Sequence, residues 1–192
     1  MRPGTGTGTV RVQNRHPSRR LDAALLRRLA RAALAEPPIA DHATWGYEVG
    51  IVITGSREMA RINQDHLGHE GPTDVITFDY TDEAGAETPG RPGEALGTNP
   101  PAEGHGGGSR RGRRLAGEIL ICLDVAGTQA AAYGTTWALE VLRYLVHGLL
   151  HLSGFDDLAP AARAVMKRHE NRLVRRLKTG LDPAGLERPT GR

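Results

Sequence analysis

Two histidines, His147 and His151, stand four residues apart in a run that is otherwise mostly apolar. At that spacing on a helix both imidazoles leave one face, about a turn apart. Gly154 and Asp157 follow, so the run reads His147-x3-His151-x2-Gly154-x2-Asp157. A glycine there can stop the helix in a left-handed conformation, and the returning chain brings Asp156 and Asp157 toward the histidine face. Imidazole nitrogens and a carboxylate are ligands that zinc accepts in a tetrahedron, and three protein ligands leave one position for water or substrate. A bare His-x3-His pair is often incidental. Here Leu139, Val141, Leu142, Leu145, Val146, Leu149, Leu150 and Leu152 predict a buried helix, where two unpartnered imidazoles would be costly. Glycine and aspartate at metzincin-like spacing complete the case for one zinc ion per chain on His147, His151 and Asp157.

One absence narrows the chemistry. A zinc peptidase built on such a helix carries glutamate directly after the first histidine as general base. Gly148 occupies that position. A divergent metallopeptidase is therefore disfavoured.

The elements that must position these residues can be read from periodicity. A strand is expected around Val10–Val12, then a helix from Ser18, its expected cap, to Ala35, ended by Pro37 and Pro38. Tyr47–Thr54 alternates as a strand, Ser56 is read as the cap of a helix to about His66, and Thr73–Phe78 is β-rich. Gly117–Leu123 reads as a further strand. Helices follow over Asp124–Tyr133, Trp137–Ser153 and Pro160–Lys178. Residues 81–114, crowded with Gly, Pro and Arg, hold almost no large apolar residue and are expected to be a flexible insertion. The expectation is one α+β domain over residues 1–178 with a disordered tail at 179–192. A small mixed sheet of about four strands packs with helices, and the metal-binding helix lies near the C-terminus.

Composition agrees with a soluble globular chain: 192 residues, 39% hydrophobic and 24% charged. No apolar run is long enough to span a membrane, and the opening Gly/Thr alternation does not read as a secretory signal. The lone cysteine, Cys122, excludes an internal disulfide and a Cys-based zinc ribbon, and fits a reduced, cytoplasmic setting. Net charge is only +3, yet the arginines concentrate before residue 36 and again, with lysines, over Arg163–Lys178. Such clusters can contact phosphates, although taken alone a solvated helix face is the simpler account of them.

With these residues in view, a family resemblance emerges. His147–Asp157 (HGLLHLSGFDD) resembles the H-G-x-L-H-L-x-G-[YF]-D-H signature of the YbeY family of bacterial endoribonucleases and ribosomal RNA maturation factors. Pro72–Phe78 is similar to that family's P-T-D-V-L-S-F strand, Gly117–Cys122 to its G-D-I-x-I-C strand, and Asn63 stands where its preceding helix carries asparagine. The match runs over about residues 47–175. It implies a zincin-like α+β fold, a zinc ion and a cytoplasmic location. It further implies cleavage of single-stranded RNA in maturing the 3′ end of small-subunit ribosomal RNA, with the ribosome as partner. The family's third ligand is usually histidine, where Asp157 stands. It commonly carries arginine four residues after the asparagine, where this chain has Leu67; Arg61, His66 and His69 are the nearby substitutes. Thr73 and Asp74 become candidate pocket residues, against simple turn chemistry. Glu118 and Asp156 become candidates to orient a ligand histidine, against plain solvation. A ribosome-assembly factor that binds RNA or protein and keeps only a structural metal is the alternative function.

Overall fold

The structure, a computed structural model, describes residues 8–43, 45–81 and 114–187. Four strands, β1 (Gly8–Asn14), β2 (Tyr47–Thr54), β3 (Val75–Asp79) and β4 (Leu115–Cys122), form one mixed sheet in the order β1-β2-β4-β3. β1, β2 and β4 are parallel and β3 is antiparallel to β4. The central strands β2 and β4 carry near-continuous apolar runs, as strands covered on both faces must. Six α-helices are present among the described residues, in keeping with the expected α+β class: α1 (Ala23–Leu34), α2 (Ile39–Ala43), α3 (Ser56–Leu67), α4 (Leu123–Tyr133), α5 (Trp137–Leu152) and α6 (Pro160–Gly180). α1, α5 and α6 share the main core with the sheet, whereas Met59 and Ile62 of α3 pack with Val52, Ile76, Leu120 and Cys122 in a second core cluster.

The helix that matters most, α5, lies tightly on β4. A Cβ at Gly148 would stand 2.7 Å from Cγ2 of Ile119, and one at Gly117 would stand 2.4 Å from Cδ2 of Leu152. Both glycines are therefore packing residues that let helix and strand approach. No helix among the described residues is long and apolar enough to cross a membrane.

Several local expectations need correction. α1 begins at Ala23 and is capped by Asp22, whose carboxylate accepts from the Leu25 N–H at 2.8 Å, so Ser18 is not its cap. Gly55, not Ser56, caps α3, and the Ser56 N–H donates to Oδ2 of Asp124 at 2.8 Å. The short helix α2 was not expected after the prolines. Residues 181–187, expected in a disordered tail, contain a 3₁₀ turn (Pro183–Leu186) with Leu186 fully buried. Glu187 bridges to Leu21 and accepts from the Trp137 indole N–H at 2.9 Å. A buried leucine anchors a segment that composition alone marks as loose. Residues 188–192 and most of the expected insertion, 82–113, lie outside the described residues.

Candidate metal centre

α5 starts at Thr136, whose hydroxyl accepts from the Leu139 N–H at 3.2 Å, and runs four turns through the core. At its far end the Gly154 N–H bonds to the His151 carbonyl at 2.8 Å and the Phe155 N–H to the Leu150 carbonyl at 3.0 Å. Gly154 sits at φ 89°, in the left-handed region that a side chain resists, and the chain reverses there as expected. The reversal brings Asp157 back over the histidines.

His147 and His151 then face one another with their Nε2 atoms 3.0 Å apart. Oδ2 of Asp157 is 3.9 Å from Nε2 of His147, and its Oδ1 is 3.9 Å from Nε2 of His151. One ligand atom from each residue falls in a group within 4.8 Å, a group that could hold a metal ion. The donors on a tetrahedral zinc at about 2 Å sit roughly 3.3 Å apart, between the two spacings found here.

The other ring nitrogens decide the tautomers. Nδ1 of His151 lies 3.0 Å from the Phe155 carbonyl, which can only accept, so this nitrogen carries the proton. Nδ1 of His147 lies 3.3 Å from Oε2 of Glu170. Burial by itself would raise the Glu170 carboxyl, but hydrogen bonds from His147, Lys167 and Arg143 outweigh it and hold the group down to about 2. Glu170 is thus an acceptor only, and His147 also donates through Nδ1. Both Nε2 atoms are left with lone pairs pointing at each other, an arrangement that calls for a cation between them. Burial, then the neighbouring His147, lowers the pKa of the His151 imidazole.

Glu170 escaped sequence reasoning. It is the single acid in α6, against seven lysines and arginines, and it occupies the apolar stripe with Met166, Leu173, Val174 and Leu177. An acid on a core-facing stripe was the available signal. Its Oε1 accepts from both Arg143 and Lys167 at 2.8 Å. On the other side of the site the Phe155 ring packs against His169, with centroids 5.1 Å apart, and against His42 at 6.5 Å. These contacts hold the residue whose carbonyl orients His151.

The remaining candidates divide. Asp156 is exposed, and its Oδ1 accepts from the Leu158 N–H at 2.9 Å, which is turn chemistry beside the ligand loop. Asp74 accepts from the Thr73 hydroxyl at 3.0 Å and the Val75 N–H at 2.9 Å, so this pair caps the entry to β3. Glu118 is exposed on β4, its stem covering Gly50, and the hydrogen bonds of His147 and His151 go to other residues. Asn63 is buried and donates to the Gly71 carbonyl at 2.8 Å, bracing the loop that leads to Thr73. Leu67 is exposed at the end of α3. Of its neighbours, His66 packs edge-on against Phe78, and Arg61 lines a cavity of about 390 Å³ with Arg15, Ser56 and Asp124. Neither of these contacts involves a residue of the His147–His151–Asp157 group.

Comparison with known proteins places this arrangement. The sequence profile described as Endoribonuclease YbeY matches residues 11–178. The chain is 32% identical over 164 residues to the Endoribonuclease YbeY of Salinibacter ruber, covering 85% of this chain and 88% of that one. It is likewise 32% identical over 159 residues to that of Chlorobium luteolum, covering 83% and 91%. Among solved structures, the fold is similar to the solution structure of TM1509 from Thermotoga maritima, with a TM-score of 0.55 and 20% identity over 96% of this chain and all of the other. With a profile match that takes in α5, the ligand loop and nearly all of α6, and relatives matched over most of both chains, this chain belongs to the Endoribonuclease YbeY family.

Proposed function

We propose that this chain is a metal-dependent endoribonuclease that cuts single-stranded RNA and acts in ribosomal RNA processing, at the 3′ end of the small-subunit RNA, in the cytoplasm and in contact with the ribosome. The observation that carries the reading is the pair of lone-pair-bearing Nε2 atoms, 3.0 Å apart and facing Asp157. Zinc is the metal these donors suit, since two imidazoles and one carboxylate match its usual ligand set. Bound there, it would supply Lewis-acid polarisation and charge neutralisation at a phosphodiester.

The chain's own residues have separate tasks. Glu170 and the Phe155 carbonyl face the Nδ1 atoms and turn both Nε2 atoms toward the ligand position. Arg163 donates from Nε to the Asp157 carbonyl at 2.9 Å and steadies the loop that carries the carboxylate. Gly148 faces Ile119, so the place where a peptidase keeps its general base is taken up by helix–strand packing. That favours phosphodiester over peptide chemistry.

The assembly-factor alternative draws on Leu67, an exposed apolar residue where the family resemblance leads one to expect arginine. One experiment separates the two readings. The purified protein is analysed for metal and incubated with single-stranded RNA, beside His151→Ala. Cleavage by the wild type that disappears in a folded His151→Ala supports the enzyme; bound metal with no cleavage by either supports the assembly factor.

A further inference from the structure

α6 carries seven cations, and they do not all point the same way. Arg168, Arg172 and Arg175 recur at helical spacing on the face directly opposite Met166, Leu173 and Leu177, where Arg168 and Arg175 are exposed and Arg172 donates to the Pro37 carbonyl. Arg163 and Lys167 lie four residues apart on another stripe, Arg163 one hydrogen bond from the candidate centre and Lys167 two, through Glu170. Arg163 donates to the carbonyls of Asp157 and Leu158. Lys167 donates to Glu170, the carboxylate that orients His147, and Arg143 of α5 reaches the same oxygen. Three cations thus lie along one side of the group His147, His151 and Asp157.

None of the three has all its donors engaged within this network. Lys167 makes one hydrogen bond from three N–H donors, and its side chain is 55% exposed. Arg163 is exposed and spends Nε and Nη2 on carbonyls, which neutralise no charge. Arg143 contacts Glu170, Asn171 and Glu140 through Nη1 and Nε. Arg163 and Lys167 are separated by about 6 Å along the helix axis, a little over one turn. A single strand whose phosphate lies at the metal would present its neighbouring phosphates to this row.

We infer that Arg163, Lys167 and Arg143 form the phosphate-binding wall of the centre, a track for the backbone of a single-stranded RNA, and that the outer stripe of α6 is a solvated face. This rests on the nuclease reading above and adds to it which basic residues hold the substrate. All three also brace the ligand loop or Glu170, and Lys167, with its side chain 55% exposed and a single hydrogen bond, is the cleanest probe.

The test uses the full-length protein as purified and a fluorescein-labelled 2′-O-methyl oligouridylate, which lacks the free 2′-hydroxyl and offers little base stacking. Binding is followed by anisotropy from about 50 to 300 mM salt, where each phosphate contact on a single strand contributes roughly 0.7 to the slope of log affinity against log salt. Lys167→Gln should flatten the slope by about 0.7 and weaken binding several-fold at the lower salt, with metal content unchanged. Lys167→Arg should restore both. Adding Arg163→Gln should flatten the slope further, while Arg168→Gln with Arg175→Gln should leave it near the wild-type value. A wild-type slope in Lys167→Gln/Arg163→Gln, or an equal loss in the outer pair, overturns the track even if the wild type cleaves RNA. A wild type that neither binds the oligonucleotide nor cleaves RNA overturns the nuclease reading and the track with it.

Discussion

Nδ1 of His147 and Oε2 of Glu170 lie 3.3 Å apart across the packed surfaces of α5 and α6, 23 residues from one another in sequence. The carboxylate is almost fully buried, and its other oxygen is shared by Arg143 and Lys167. A candidate ligand histidine is thereby tied to the core charge network, so on the proposed reading metal affinity and stability are coupled through one side chain.

Glu170→Gln keeps an acceptor near His147 but loses the charge, and metal affinity measured by competition with a chelator should fall by about 10- to 100-fold. Glu170→Ala removes the acceptor and one of the two buried carboxylates that Arg143 contacts, with an expected loss of about 2 kcal/mol in denaturant unfolding. Unchanged metal affinity in the glutamine variant would falsify the orienting role.

Asp157 and Asp156 are adjacent yet should behave oppositely. Asp157 faces both Nε2 atoms, so Asp157→Ala should purify with little metal, since two imidazoles seldom suffice. Asp157→His should retain zinc. Asp156 caps a turn at Leu158, and Asp156→Ala should keep its metal. Elemental analysis of the three proteins decides the matter; metal lost from the Asp156 variant and kept in the Asp157→Ala variant would reassign the third ligand.

Residues 82–113 should be dispensable for folding and metal content. β3 and β4 are antiparallel neighbours, and their pairing extends past the strands: the Tyr80 N–H bonds to the Ala116 carbonyl at 2.9 Å, and the Thr81 hydroxyl lies 3.4 Å from the Ala116 N–H. Thr81 and Arg114 are therefore placed for a short Gly/Ser hairpin, and loop length costs stability only weakly. Circular dichroism and metal analysis of the shortened protein check this, and loss of the cooperative transition is the outcome against it.

Asp124 predicts an acid-sensitive component of stability. Burial raises its carboxyl, but the Ser56 N–H and His16 outweigh this and hold it below the usual carboxylate range. A lowered folded pKa stabilises above the unfolded value, and that contribution is lost as the pH falls through the folded one. Asp124→Asn should cost about 1 kcal/mol near neutrality, the scale of a helix cap. The gap to wild type should narrow under acid, as urea unfolding at several pH values would reveal. A gap that stays constant with pH rules the contribution out.

How much was legible in the sequence follows from how local each feature is. The two histidines share a face because a helix repeats every 3.6 residues, and Gly154 returns the chain within one turn, so the ligand pattern could be read without a fold. Strands and helices announced themselves by period for the same reason. The Ser56 cap was misread because the group that satisfies its N–H belongs to Asp124, 68 residues on. Leu186 looked like tail because only packing shows that it is buried.

Tertiary structure alone decided which partners complete the site. Periodicity states that α6 has a core-facing stripe with an acid in it, but not that α5 lies opposite with His147 at the right height. It leaves Gly148 as an absence, whereas packing shows a position filled by Ile119. Helix-to-helix placement is set by the sum of many weak side-chain contacts distributed through the core, and no short window of sequence contains that sum.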